Sequence, residues 1–414
     1  MSNQTFRTAL KYGVAVLVIT GAATRAFAQP TEPPAGKPAA AESNATAAAG
    51  PAGPANSAKA KVRMPLADPS KFLDSSSSAN TPAVEKALVP GVSGAAANAS
   101  SLESPAAYGS SKAPYSTRRV SVQVLGSSAL ANATPVTSYP FRATGRLWMR
   151  FSDGWYICTA SMISKNIVLT AAHCVHNYGK QAAGYASEVW YYPAQYTGST
   201  GAQVTPYGTF KATRWRVLGP YYNGTDTCTQ TGVVCNNDVA TVVLAKNSAG
   251  KYAGDVTGYY KYGWNGYSYT SFFGSTVVQL HQLGYPAALD SGMDMERTDG
   301  AGWYYTSGYL KNTQLGSAQT GGSSGGPWLV NLGRSPTVTD TTRANLGSAT
   351  TQAVVGVTSY GSTTVGYNRQ GASFFGQNKE YPNSSYGTTT KSYGAGNIGA
   401  LVYTTVASDG GLAP

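Results

Sequence analysis

Three kinds of residue are scarce in this 414-residue chain, and each shortage removes a class of function. Histidine occurs only three times, at His173, His176 and His281. Cysteine occurs four times, as Cys158, Cys174, Cys228 and Cys235, with no CxxC pair and no HExxH run. No metal and no cofactor are therefore expected. Charged residues make up 12% of the chain. The basic excess is spread evenly, with twelve Lys/Arg against six Asp/Glu before Val120 and eighteen against twelve after it. Nucleic-acid binding calls for a clustered basic face, and none is present. One apolar run, Tyr12 to Ala23, is too short to span a bilayer. No repeat of solenoid period is visible.

What is present begins with a turn, Gly322-Ser323-Ser324-Gly325-Gly326-Pro327. A serine hydroxyl is a weak nucleophile that needs a base for its proton and N–H donors for the charge that forms next. The turn fits G-x-S-x-G, the nucleophile elbow of α/β-hydrolases, whose residues follow the order Ser, acid, His. Here every histidine precedes Ser324. The order left is His, Asp, Ser. His173, in Thr170-Ala171-Ala172-His173-Cys174, is the candidate base and His176 its rival. Asp238, in Asn236-Asn237-Asp238 before the apolar run Val239–Leu244, is the candidate acid; its plain alternative is an ordinary turn. His281 reads as a strand residue.

The N-terminus carries Arg7 and Lys11, then the apolar run, then Ala26-Phe27-Ala28. Residues 1–28 read as a secretory signal peptide, with a retained anchor as the alternative. Residues 29–119, rich in Ala, Pro, Ser and Gly, read as a disordered leader or propeptide without a packed core. It ends on Arg118-Arg119, either a processing site or two solvated charges. From Val120 onward, short β-branched and aromatic runs alternate with Gly, Pro and Asn, which points to an all-β fold. Candidate strands are Leu147–Phe151, Tyr156–Ile163, Ile167–Thr170, Val189–Tyr192, Val239–Leu244, Val277–Leu283, Trp303–Leu310, Trp328–Val330 and Ala353–Tyr360. Helices are expected to be nearly absent. Two Tyr/Gly-rich segments, Gly258–Gly274 and Tyr381–Gly396, read as exposed hairpin faces, with glycan or polymer docking as the alternative.

Taken together, Cys158-Thr-Ala-Ser-Met-Ile, Ile167–Cys174, Asn237-Asp238-Val-Ala and Gly322–Pro327 resemble the trypsin-like, chymotrypsin-fold serine proteases. Tyr192-Pro193-Ala194, Thr205-Pro206-Tyr207-Gly208 and Leu283-Gly284-Tyr285-Pro286 resemble the bacterial V8-like glutamyl endopeptidase group. The resemblance spans roughly residues 137–375. It implies two six-stranded antiparallel β-barrels, 120–250 with His173 and Asp238 and 251–414 with Ser324, and an active site in the cleft between them. It implies His173 as general base, Asp238 as its orienter, Ser324 as nucleophile, and the backbone N–H groups of Gly322 and Ser324 as the oxyanion hole. Adjacency and the family pattern favour the disulfides Cys158–Cys174 and Cys228–Cys235. The substrate pocket would be lined by Ala318, Thr320, Thr358, Ser359, Tyr360 and Gly361. Two positions depart from the family. Ser323 stands where an Asp usually pairs with the new N-terminus, so maturation is expected to remove an inhibitory or chaperoning leader. Thr358 stands where glutamyl endopeptidases carry a pocket His, so no positive group awaits a substrate carboxylate. The expected protein is a secreted, monomeric serine endopeptidase acting on proteins or peptides. A catalytically silent adhesion protein on the same scaffold and a secreted esterase are the alternatives.

Overall fold

The computed structural model describes residues 32–38, 61–67, 106–109, 114–121, 135–226, 232–272, 275–307, 310–332, 352–362 and 368–414. The signal-peptide reading of 1–28 and Cys228 lie outside them. Twelve strands form two closed rings. The first ring uses β1 (Thr144–Phe151), β2 (Gly154–Met162), β3 (Ile167–Thr170), β4 (Glu188–Pro193), β5 (Phe210–Val217) and β6 (Ala240–Leu244). Their order is β2-β1-β4-β5-β6-β3, closed by β3 on β2. The second uses β7 (Ser275–Gly284), β8 (Glu296–Ser307), β9 (Leu310–Gly316), β10 (Pro327–Val330), β11 (Ala353–Ser362) and β12 (Arg369–Phe374). Their order is β7-β10-β11-β12-β9-β8, closed by β8 on β7. Every pairing within the two rings is antiparallel, so both are closed six-stranded antiparallel barrels as expected. Closure pairs every strand of a ring with two neighbours, and among the described residues only stretches of β2, β7, β8 and β11 beyond those pairings take a further strand.

Most of these strands are visible as apolar runs. Ile167–Thr170 and Val239–Leu244 are buried throughout, and Trp148, Trp215 and Trp328 are each at most 1% exposed. Three strands are not visible as such runs. β5 (FKATRWRV) carries three basic residues, while β9 (LKNTQLG) and β12 (RQGASF) are largely polar. The candidate Trp303–Leu310 covers the end of β8 and the start of β9.

A 13-residue helix, α1 (Gly396–Ser408), was not expected. Its sequence, GNIGALVYTTVAS, has no charge to mark a solvated face, and eight of its residues are buried. It follows the second barrel in sequence but packs on β6 and β5 of the first. Thr405 Oγ1 lies 2.6 Å from Thr241 Oγ1, and Asp409, just past its end, pairs with buried Arg216. A boundary at 250/251 therefore divides the strands but not this helix. Nor is Tyr381–Gly396 an exposed hairpin face, because Tyr381, Tyr386 and Tyr393 are all buried. No described helix is long and apolar enough to cross a membrane.

Among the described residues of 29–119 none supplies a strand of either ring, yet four stretches are laid onto the body. Gly36 exchanges backbone hydrogen bonds with Trp215. Lys61–Val62 and Leu66–Ala67 add to β2 and β11. Ala106–Gly109 and Tyr115–Arg119 pair with each other, and the latter pairs with β8. Arg119 is not a free solvated charge, since it chelates Asp290 through Nε and Nη2. Beneath this pair Glu296 is 2% exposed. Burial, helped by a hydrogen bond with Asp290, pushes its carboxyl up to about 9. A folded state that holds this proton more tightly than the unfolded chain is favoured at low pH. That advantage is full below about pH 4.5 and is lost as pH rises through about 9. Glu296→Gln is expected to flatten this fall, so that melting temperatures followed across that interval drop less in the variant than in the parent.

Candidate functional site

A one-turn helix, Ala172–Val175, leaves the end of β3 and presents His173, and the Cys158–Cys174 disulfide ties that turn to β2. The bridge closes a 16-residue step, worth about 3 kcal/mol in the loop-entropy picture. Cys235 is also disulfide-bonded. Asp238, 1% exposed, sits just before β6. Its Oδ1 accepts from the His173 backbone N–H at 2.9 Å. Its Oδ2 accepts from His173 Nδ1 at 2.8 Å and from the Ser359 hydroxyl at 2.5 Å. The loop carrying Asp238 is held from the far end of the chain. Asn378 Nδ2 donates to Asn237 Oδ1, and Asn397 Nδ2, at the start of α1, donates to Asn236 O.

Ser324 stands in a turn whose shape depends on glycine. Gly322 has φ +99°, and a Cβ there would collide with the Tyr285 carbonyl. Gly325 has φ +77°, and a Cβ there would collide with Thr170 Oγ1. The first barrel braces this turn. Thr159 N donates to Ser324 O at 2.8 Å, and Thr159 Oγ1 donates to Gly322 O at 2.9 Å. Among the described residues the N–H groups of Gly322 and Ser324 donate to no acceptor.

The Ser324 hydroxyl and His173 Nε2 meet at one atom, the carbonyl oxygen of Arg63. Oγ donates to it at 2.8 Å and Nε2 lies 3.1 Å from it. With His173 Nδ1 on Asp238, the three expected residues are thus brought together. The rival base, His176, is excluded by its surroundings. Its Nε2–H donates to Gln181 O at 2.7 Å, aromatic rings of Tyr185, Tyr221 and Tyr222 surround it, and burial pulls its pKa down to about 4. His281 is a strand residue on β7, bonded to Asp299. The group Cys158, His173 and Cys174 offers no thiolate to a metal, because its two sulfurs are bonded to each other.

The pocket residues divide. Gly361 donates its N–H to Pro65 O at 2.9 Å. Ala318 and Thr320 are partly exposed; Ala318 N donates to Thr117 Oγ1, and Thr320 Oγ1 accepts from Ala288 N. The other three face elsewhere. Ser359 turns its hydroxyl to Asp238 rather than to a substrate pocket. Tyr360 is 3% exposed, with its hydroxyl 3.4 Å from Gln314 Nε2. Thr358 is fully buried and accepts from Trp328 Nε1 at 2.9 Å and Gln282 Nε2 at 2.8 Å. A backbone pattern assigns strand residues to alternating faces but does not say which face meets the cleft. Sequence reasoning missed two glutamines. Gln282 bonds Gln370 Oε1 as well as Thr358, and Gln370 Nε2 reaches Gln319 O at 2.7 Å, Ser323 Oγ at 3.3 Å and Met64 Sδ at 3.7 Å. Gln282, next to His281 in a recognised strand, was within reach. Gln370 lies in the unrecognised β12.

Two closed antiparallel barrels, with a glycine-shaped serine turn braced across them, define the class of scaffold. A model of the trypsin family matches residues 134–375, more than half of the sequence, and the chain belongs to that family. The glutamyl endopeptidase of Bacillus licheniformis is 29% identical over 223 residues, covering 52% of this chain and 56% of that protein. This agrees with the subgroup resemblance in the sequence. An extracellular metalloprotease of Bacillus subtilis is 30% identical over 106 residues, 25% of this chain and 31% of that one. The chain spans about half or less of the length of these relatives. Among solved structures, the protease Anisep from Arthrobacter nicotinovorans is 21% identical, covers 57% of this chain and 91% of that one, and has a TM-score of 0.42. A Glu endopeptidase in complex with MPD is 18% identical, covers 58% and 89%, and has a TM-score of 0.39.

Ser359→Ala removes one of three donors from a buried carboxylate while leaving His173 in place. A hydrogen bond to a charged group is worth about 1.5–3 kcal/mol. The variant is expected to lose about ten- to a hundredfold in kcat on a peptide substrate with KM nearly unchanged.

Proposed function

We propose that the chain is a secreted serine endopeptidase working through His173, Asp238 and Ser324. The observation that carries this reading is the convergence of the Ser324 hydroxyl and His173 Nε2 on one carbonyl oxygen while His173 Nδ1 is bound to Asp238. In the reaction, Ser324 Oγ attacks the carbonyl carbon of a peptide bond and His173 Nε2 takes its proton. The oxyanion turns to the N–H groups of Gly322 and Ser324. The intermediate collapses, His173 returns the proton to the departing amine, and an ester of Ser324 remains. Water, activated by the same imidazole, then releases the acid and restores the hydroxyl. Asp238 holds the ring in the tautomer with a proton on Nδ1 and stabilises the imidazolium.

The side chain preceding the cut would meet the neutral amide of Gln370, which lies 3.3 Å from Ser323 Oγ and 3.7 Å from Met64 Sδ. This favours a neutral residue there over an acidic or basic one. The relatives' name refers to Glu specificity, which would require a cation this pocket lacks among the described residues. Secretion accords with the signal-peptide pattern of residues 1–28 and the disulfide-bonded cysteines.

A fluorophosphonate is expected to label Ser324 in processed protein, and Ser324→Ala should abolish labelling and cut peptidase activity by about 10⁴-fold or more. Failure of a folded, processed sample to label would overturn the reading. Gln370→Lys is expected to shift cleavage of a peptide library toward acidic residues before the cut. An unchanged profile would remove Gln370 from the pocket.

A further inference from the structure

The leader segment Lys61–Ala67 crosses the two barrels at the serine. Lys61 and Val62 pair with Tyr156 and Ile157 on β2, and Leu66 and Ala67 pair with Gly361 and Ser362 on β11. Between them the Arg63 carbonyl oxygen takes the hydrogen bonds from Ser324 Oγ and His173 Nε2. Three further contacts anchor the segment. The Arg63 guanidinium stacks 4.2 Å from the Phe151 ring centre and bonds Asn177 Oδ1. Met64 lies against Gly361 and within reach of Gln370 Nε2. Ala67 is 1% exposed, packed with Val233, Cys235 and Tyr360. The Lys61–Asp153 pair is solvent-exposed and adds little.

Two features make this occupancy unproductive. A peptide about to be cut turns its carbonyl oxygen to the oxyanion donors and its carbon to the hydroxyl. Here the oxygen itself faces the hydroxyl and the imidazole, while the Gly322 and Ser324 N–H groups donate to no described acceptor. Both pairings of the segment are also parallel, although every pairing within the barrels is antiparallel. A peptide of opposite chain direction on the same two edges would run antiparallel to both.

We propose that Lys61–Ala67 is a self-blocking strap, a piece of the leader that fills the substrate groove in an uncuttable pose and keeps the full-length chain inactive until it leaves. This rests on the assignment of Ser324 as nucleophile and deepens it, because it names the segment and contacts by which the leader acts. It also makes this peptide, once freed, an inhibitor in trans.

The test compares full-length chains with and without Ala67→Arg, which puts a long cation where a methyl is enclosed; Arg63→Ala is the milder second variant. Neither position belongs to the barrels, so displacement of the strap does not require unfolding. Fluorophosphonate labelling of Ser324 is expected to be at least tenfold faster in Ala67→Arg. An added synthetic peptide of residues 59–69 should restore slow labelling and be recovered uncut. In parallel, amide exchange at Gly361, whose N–H is bound to Pro65 O, is read in chains also carrying Ser324→Ala. Exchange is expected to speed up at least tenfold on displacement of the strap. Equal exchange at Gly361 with and without both leader variants overturns the strap, whatever the reactivity of Ser324. Faster exchange with equal, measurable labelling overturns the blocking role. If no full-length chain labels although exchange at Gly361 speeds up, the blocking role falls and only a docked segment remains; the nucleophile assignment falls with it only if the processed protein also fails to label.

Discussion

The carboxylate of Asp238 is shut away from water and depends on the donors gathered around it. Those donors come from two directions, the His173 backbone and ring on one side and the Ser359 hydroxyl on β11 on the other. One buried acid thus joins the turn after β3 to a strand of the second barrel. The loop that carries it is gripped in turn by Asn378 and by Asn397 at the start of α1. Much of the architecture serves this placement. Closed barrels give rigid strand ends, the disulfide fixes the histidine turn, and Thr159 carries the serine turn across from the first barrel.

The all-β fold and the three central residues were legible because the physics behind them is local. Apolar, β-branched runs bounded by glycine and proline mark buried strands, and the glycine-framed serine turn has to be written in contiguous residues. The order His, Asp, Ser needed only position along the chain. Other elements failed for a common reason, since their logic is satisfied by partners far away in sequence. Arg216 breaks the apolar pattern of β5 because Asp409 neutralises it from 193 residues downstream. Gln370 makes β12 look polar because it faces Gln282 and Gln319. Helix α1 shows no polar stripe because so much of it is covered.

The same distance effect shaped the site. Ser359 was counted among the pocket residues from its place in the strand, yet its hydroxyl belongs to Asp238. The composition of residues 29–119 does not say where their described stretches lie. A low-complexity segment needs only a few well-placed residues to occupy a groove. Arg63, with one face on Phe151 and its carbonyl on the serine, is such a residue.

The central claim is that Ser324 becomes covalently acylated with His173 as its base. Rapid quenching of the processed protein with a peptide ester substrate, followed by mass mapping, tests this most directly. The account predicts an acyl group on the peptide containing Ser324, and its loss in His173→Ala. Turnover with no adduct, or an adduct on another residue, would contradict it.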